Sequence, residues 1–77
     1  MLDKFKDLVV EYYKNKNIDV DKYNIFVVWY CKTIQNHKAI LGAYVEDNLL
    51  FEATYNGNKG EIYLDVYNKI DKIISKE

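Results

Sequence analysis

The chain has 77 residues, 49% hydrophobic and 30% charged, with 11 basic residues (all Lys) against 12 Asp+Glu and a net charge of −1. That length makes one domain, residues 1–77, with a small core, because so short a chain buries little more than half the surface its unfolded form exposes. The apolar content is too high for disorder, the charge balance leaves no basic footprint for duplex nucleic acid, and no run of about 18 apolar residues is present to span a membrane.

At the N-terminus, Met1-Leu2-Asp3-Lys4 places charges where a signal peptide needs its apolar stretch, so a cytosolic setting is expected. Residues 2–14 have helical period: Leu2, Phe5, Leu8, Val9, Tyr12 and Tyr13 recur at spacings of three and four. Asp3 in the first turn and Lys14 and Lys16 at the end suit the helix dipole, and Asn15 and Asn17 can take a left-handed stop. Residues 18–24 form a polar connection; Asp19 and Asp21 are too few oxygen ligands, without a turn glycine, for a calcium loop.

Residues 25–33, Ile-Phe-Val-Val-Trp-Tyr-Cys-Lys-Thr, predict a strand from their β-branched and aromatic content. Strict alternation sends Ile25, Val27, Trp29 and Cys31 to one face and Phe26, Val28 and Tyr30 to the other. Both faces are apolar, the pattern of a central strand covered on both sides. Strands are also predicted over 38–46 and 49–56, with Asp47-Asn48 as a two-residue hairpin turn and Asn56-Gly57-Asn58-Lys59-Gly60 as a second turn.

The last segment satisfies two patterns. Glu61 to Tyr67 is rich in strand formers, yet Ile62, Val66, Ile70, Ile73 and Ile74 make a helical stripe, and Asn58 with Glu61 has capping-box spacing. The stripe favours a helix over 61–75. The expected class is α+β: a small three-stranded antiparallel β-meander with N-terminal and C-terminal helices, in the order α-β-β-β-α. Helices on one face leave the other open, carrying Phe26, Val28, Tyr30, Ile40, Tyr44 and Leu50. So large an apolar patch predicts a homodimer or higher oligomer.

The most distinctive stretch is Cys31-Lys32-Thr33-Ile34-Gln35-Asn36-His37-Lys38, which holds the only Cys and the only His and no acid. A lone cysteine excludes an internal disulfide, and one Cys with one His does not make a zinc site. Beside Trp29, Cys31 reads as a small buried hydrophobe rather than a nucleophile, and no paired carboxylates suggest acid–base chemistry. Glu52 belongs on the more exposed face, opposite a lysine. No catalytic residue, metal or cofactor is expected. The ligand alternative is that Lys32, Thr33, Asn36, His37 and Lys38, with Trp29 or Tyr30 to stack a ring, hold a small anionic ligand; the plain alternative is a polar hairpin. The absence of Arg matches AT-rich codons, which also explain the abundance of Asn, Ile and Tyr.

Phe26-Val27-Val28-Trp29, Cys31 through Ala39, Thr54-Tyr55-Asn56-Gly57 and Glu61-Ile62-Tyr63-Leu64-Asp65 resemble small proteins of unknown function from phages and prophages of Gram-positive bacteria. The resemblance also takes in Lys4-Phe5-Lys6-Asp7-Leu8-Val9. Tyr30, and Ala43-Tyr44 in the second strand, depart from that pattern. The resemblance implies a phage accessory protein of the host bacterial cytoplasm and no particular activity. Three classes follow: a sponge that sequesters a nucleotide-like signal of host defence, an inhibitor covering a host or defence protein, and a small hydrolase.

Overall fold

The computed structural model describes residues 1–76. The elements are α1 (Leu2–Asn15), a 3-10 turn (Lys22–Asn24), β1 (Ile25–Thr33), β2 (Asn36–Ala43), β3 (Leu49–Asn56) and β4 (Glu61–Asn68). The strands pair antiparallel in the order β1-β2-β3-β4, a simple meander with α1 across one face. No helix among the described residues is long and apolar enough to cross a membrane.

The helix forms where its period requires. Phe5, Val9 and Tyr13, four apart, are buried against Ala39 and Leu41 of β2 and Phe51 and Ala53 of β3, with Val20 and Ile25 closing the core. The rings of Tyr12, Tyr13 and Phe51 meet edge to face at 5.5–5.6 Å, the arrangement aromatic quadrupoles favour. Asp3 and Lys14 occupy the expected ends, and Asn17 takes a left-handed φ of 60° as the chain leaves the helix. The Tyr13 hydroxyl donates to Asp47 Oδ2 at 2.8 Å and ties the helix to the β2–β3 loop. Asp21 caps the 3-10 turn by accepting from Tyr23 N, a short element the polar connection hides in the sequence.

The C-terminal helix does not form. Residues 61–68 are the fourth strand instead, paired with β3 from Asn56↔Glu61 to Leu49↔Asn68. Ile62, Leu64 and Val66 lie opposite Tyr55, Ala53 and Phe51 on the helix side, so the same residues that fit a stripe also satisfy a period of two. Pairing with β3 satisfies backbone groups and extends a shared apolar face. A helix there would leave β3 as an unpaired edge. Residues 69–76 have no regular structure, and Ile70, Ile73 and Ile74 are exposed.

The first strand needs two corrections. It is an edge of the sheet, not a central strand, and it carries a bulge: Val27 faces Leu41, but the next pair is Trp29 with Ile40, leaving Val28 extra. The bulge inverts the alternation beyond it. Ile25 and Val27 point to the helix, while Trp29 and Cys31 join Phe26 on the open face and Tyr30 turns to the helix side. Cys31 is accordingly exposed rather than buried. Of the expected open patch, Phe26, Ile40 and Leu50 share that face, Tyr30 does not, and Trp29 takes its place. The second strand begins two residues earlier than expected and ends at Ala43, and a five-residue loop, 44–48, replaces the Asp47-Asn48 turn.

Candidate functional site

The open face divides into two halves. At the end where β1 begins and β4 finishes lie Phe26, Leu50 and Tyr67, with Tyr44 in the adjoining loop. The Phe26 ring rests over Gly42, where an added Cβ would stand 2.7 Å from Phe26 Cε2, and lies 4.8 Å from the Tyr44 ring. At the other end the strands present Thr33, Asn36, Lys38, Thr54 and Asn56, and here the surface is concave. The concavity has a volume of about 450 Å³ and is bounded by Trp29, Cys31, Thr33, Asn36, Lys38, Thr54, Asn56 and Asn58, with further wall atoms from His37 and Tyr55.

Its rim is made by two hairpin turns bonded to each other. Asn36 Oδ1 accepts from Gly57 N at 2.9 Å, and Gln35 Nε2 donates to Asn58 Oδ1. Asn56 Oδ1 accepts from Asn58 N and Lys59 N at 3.1 and 3.3 Å, closing the β3–β4 turn. Gly57 is required by this approach: a Cβ there would meet the Gln35 backbone oxygen and side chain. Asn36 and Asn56, which both line the concavity, bond the turns through their carbonyl oxygens, and this leaves the NH2 of each to donate. Ile34, at the tip of the β1–β2 turn, has φ 57° although it is β-branched.

The floor carries one aromatic and one cation. The Trp29 side chain is about half exposed, at 49%. Lys38 Nζ lies 3.4 Å from Glu52 Oε1; Glu52 is on the open face as alternation expects, but it is half-buried and stands opposite Ile40, with the lysine diagonal to it. The pair leaves Lys38 oriented but partly neutralised. Thr33 and Thr54 add hydroxyls. The site thus suits a planar ring over Trp29, acceptor atoms for amide and hydroxyl donors, and one negative charge at Lys38.

The structure brings together four of the seven residues expected from the sequence: Trp29, Thr33, Asn36 and Lys38. It separates Tyr30, Lys32 and His37, which the bulge and the alternation send to the helix side. There the Tyr30 hydroxyl bonds His37 Nδ1, and the Tyr30, His37 and Tyr55 rings follow one another at 5.8 and 5.7 Å. Desolvation, reinforced by the nearby Lys32 charge, holds the His37 imidazole below its usual pKa. His37 contributes to the concavity only through wall atoms. Cys31 and His37 lie on opposite faces of the sheet, which leaves no thiol–imidazole pair. Thr54, Asn56 and Asn58 were missed, and the signal that finds them is the pairing Lys38↔Thr54 across β2 and β3, which follows only from register.

Among the described residues no group of three or more His, Cys, Asp or Glu side chains is placed to hold a metal. No curated protein and no solved structure matches the chain. A family model does match it, over residues 2–77, and on that span the chain belongs to the family of unknown function DUF6275.

Proposed function

We propose that this protein is a non-catalytic binding module that holds a small ligand, a planar ring bearing one negative charge, in the concavity between Trp29 and Lys38. The observation that carries the proposal is the half-exposed indole with a lysine and a set of amide and hydroxyl groups around one concavity, on three strands and the β3–β4 turn. Cyclic mononucleotides, with one ionised phosphodiester, have this chemistry; mononucleotides and ADP-ribose-type compounds share the ring and the phosphate but carry about two charges. Lys38 is the one cation in the concavity, which favours ligands of low charge over multiply phosphorylated ones.

The biological reading follows from the resemblance to small phage proteins. In it the protein is a phage accessory factor in the cytoplasm of a Gram-positive host, acting in counter-defence as a homo-oligomer that sequesters a nucleotide-like signal. A second reading, an inhibitor that covers a host or defence enzyme, draws on the exposed apolar half of the open face, with Phe26, Leu50 and Tyr67.

Calorimetric titration of the wild type against a panel of these nucleotides tests the proposal. Micromolar binding of at least one is expected, weakened about tenfold by Lys38→Ala, or about 1.4 kcal/mol for a partly solvated charge-assisted bond. Binding of none of the panel removes the sponge reading and leaves the inhibitor reading in its place.

A further inference from the structure

Residues 69–76 follow the fourth strand and carry three isoleucines with no cover: Ile70 is 92%, Ile73 94% and Ile74 71% exposed. Single apolar residues on a surface are ordinary, but three within five residues are not. The segment is also basic, with Lys69, Lys72 and Lys76 against Asp71. It starts beside the β2–β3 loop, where Lys69 N donates to Asn48 O at 2.8 Å. That is the end of the sheet at which the open face is apolar.

The open face has the complementary character. Its apolar half, with Phe26, Leu50 and Tyr67, is bordered by Asp65 and, facing it across β3 and β4, by Glu52, which Lys38 already pairs. A sheet-on-sheet contact between two such faces would bury Asp65 without a cation to pair it, which is costly. A basic, isoleucine-bearing segment lying on the same surface covers the apolar residues and brings lysines to Asp65. The chain's own segment does not do so; its isoleucines stand clear of its own sheet.

We propose that the occupant is a second copy of this chain. Two copies related by a two-fold axis exchange residues 69–76, each laying its isoleucines on the apolar half of the other's open face. One symmetric exchange covers both segments and both faces. The polar half and its concavity stay open in this arrangement, so the inference stands apart from the ligand reading.

Sedimentation equilibrium at about 50 µM, with far-UV circular dichroism as a control for folding, tests it. The wild type is expected at about twice the 9.2 kDa chain mass. The triple variant Ile70→Ser, Ile73→Ser, Ile74→Ser is expected at the monomer mass with an unchanged spectrum, because these side chains are mostly exposed in the isolated chain. Leu50→Asn, on the receiving face, is expected to give the same monomer. A monomeric wild type overturns the proposal. So does a triple variant that remains associated, including the case in which Leu50→Asn alone dissociates.

Discussion

Val28 is the extra residue of the β1 bulge, and its deletion should be tolerated. In the observed register Val27 faces Leu41 and Trp29 faces Ile40, so removing Val28 joins two residues whose partners are already adjacent. Every residue beyond the bulge keeps its face, Trp29 and Cys31 included. The cost is the packing of one valine that is 58% exposed. A fully buried valine contributes roughly 1.5–2 kcal/mol, so the part at stake is about 0.7 kcal/mol. For a domain of this size that lowers Tm by about 3–6 °C. Deleting Tyr30 instead leaves Val28 to fill the register, and the restored alternation turns Trp29 toward the helix side. Trp29 is the only tryptophan, so its emission reports its face directly. The assay is thermal melting together with emission maximum and acrylamide quenching. A Val28 deletion that fails to fold, or in which the indole becomes blue-shifted and shielded, would refute the assignment of the bulge and with it the make-up of the open face.

Three other outcomes are expected. Burial, then the bond to Asp47, holds the Tyr13 phenol above its usual pKa. The folded state therefore keeps a proton that the unfolded chain releases above about pH 10, and stability present below that pH is lost as pH rises, by up to about 1.4 kcal/mol per unit. Tyr13→Phe should cost about 1–2 kcal/mol at neutral pH and flatten the alkaline decline in urea unfolding curves; an equally steep decline in the variant contradicts the assignment. Ile34→Asn should stabilise the fold by about 1 kcal/mol, because asparagine tolerates a left-handed φ that costs other L-residues roughly 1–2 kcal/mol and Ile34 is 83% exposed; a lower Tm refutes the strain argument. Cys31→Ala should change stability by less than about 0.5 kcal/mol, as for other exposed positions, and leave ligand binding intact; loss of binding in a folded variant would give the thiol a role.

The parts of the fold legible in the sequence are those with a single consistent period. Leu2 to Tyr13 repeats only at three and four, and the helix and its buried Phe5–Val9–Tyr13 edge follow. The third strand, 49–56, and the turn at 57–60 were equally plain because glycine and asparagine punctuate them. Ile62 and Val66 were ambiguous for a physical reason: a spacing of four is a multiple of two, so they fit both a helix stripe and one face of a strand. Strand pairing with β3 decided the matter, and pairing is a long-range property that no local window contains. The bulge was invisible for a similar reason. Val27-Val28-Trp29 is a uniform run of strand formers, and only the match of β1 to β2 shows which residue is extra. That one residue exchanged the faces of Trp29 and Tyr30, which alternation already sets on opposite sides, and so put the indole rather than the phenol on the open face. Thr33, Asn36 and Lys38 stayed together because they share a face in the hairpin itself, next to the turn.

The central claim is that the concavity on the open face, not the Lys32–His37 side of the same hairpin, receives the ligand. Amide chemical-shift mapping during titration with a cyclic nucleoside monophosphate tests it most directly. The largest shifts are expected at Trp29, Thr33, Asn36, Lys38, Thr54 and Asn58, with the Trp29 indole N–H among them, and Lys38→Ala should suppress them while Lys32→Ala does not. Shifts centred on Tyr30, Lys32 and His37, or no shifts at millimolar ligand, would contradict the account.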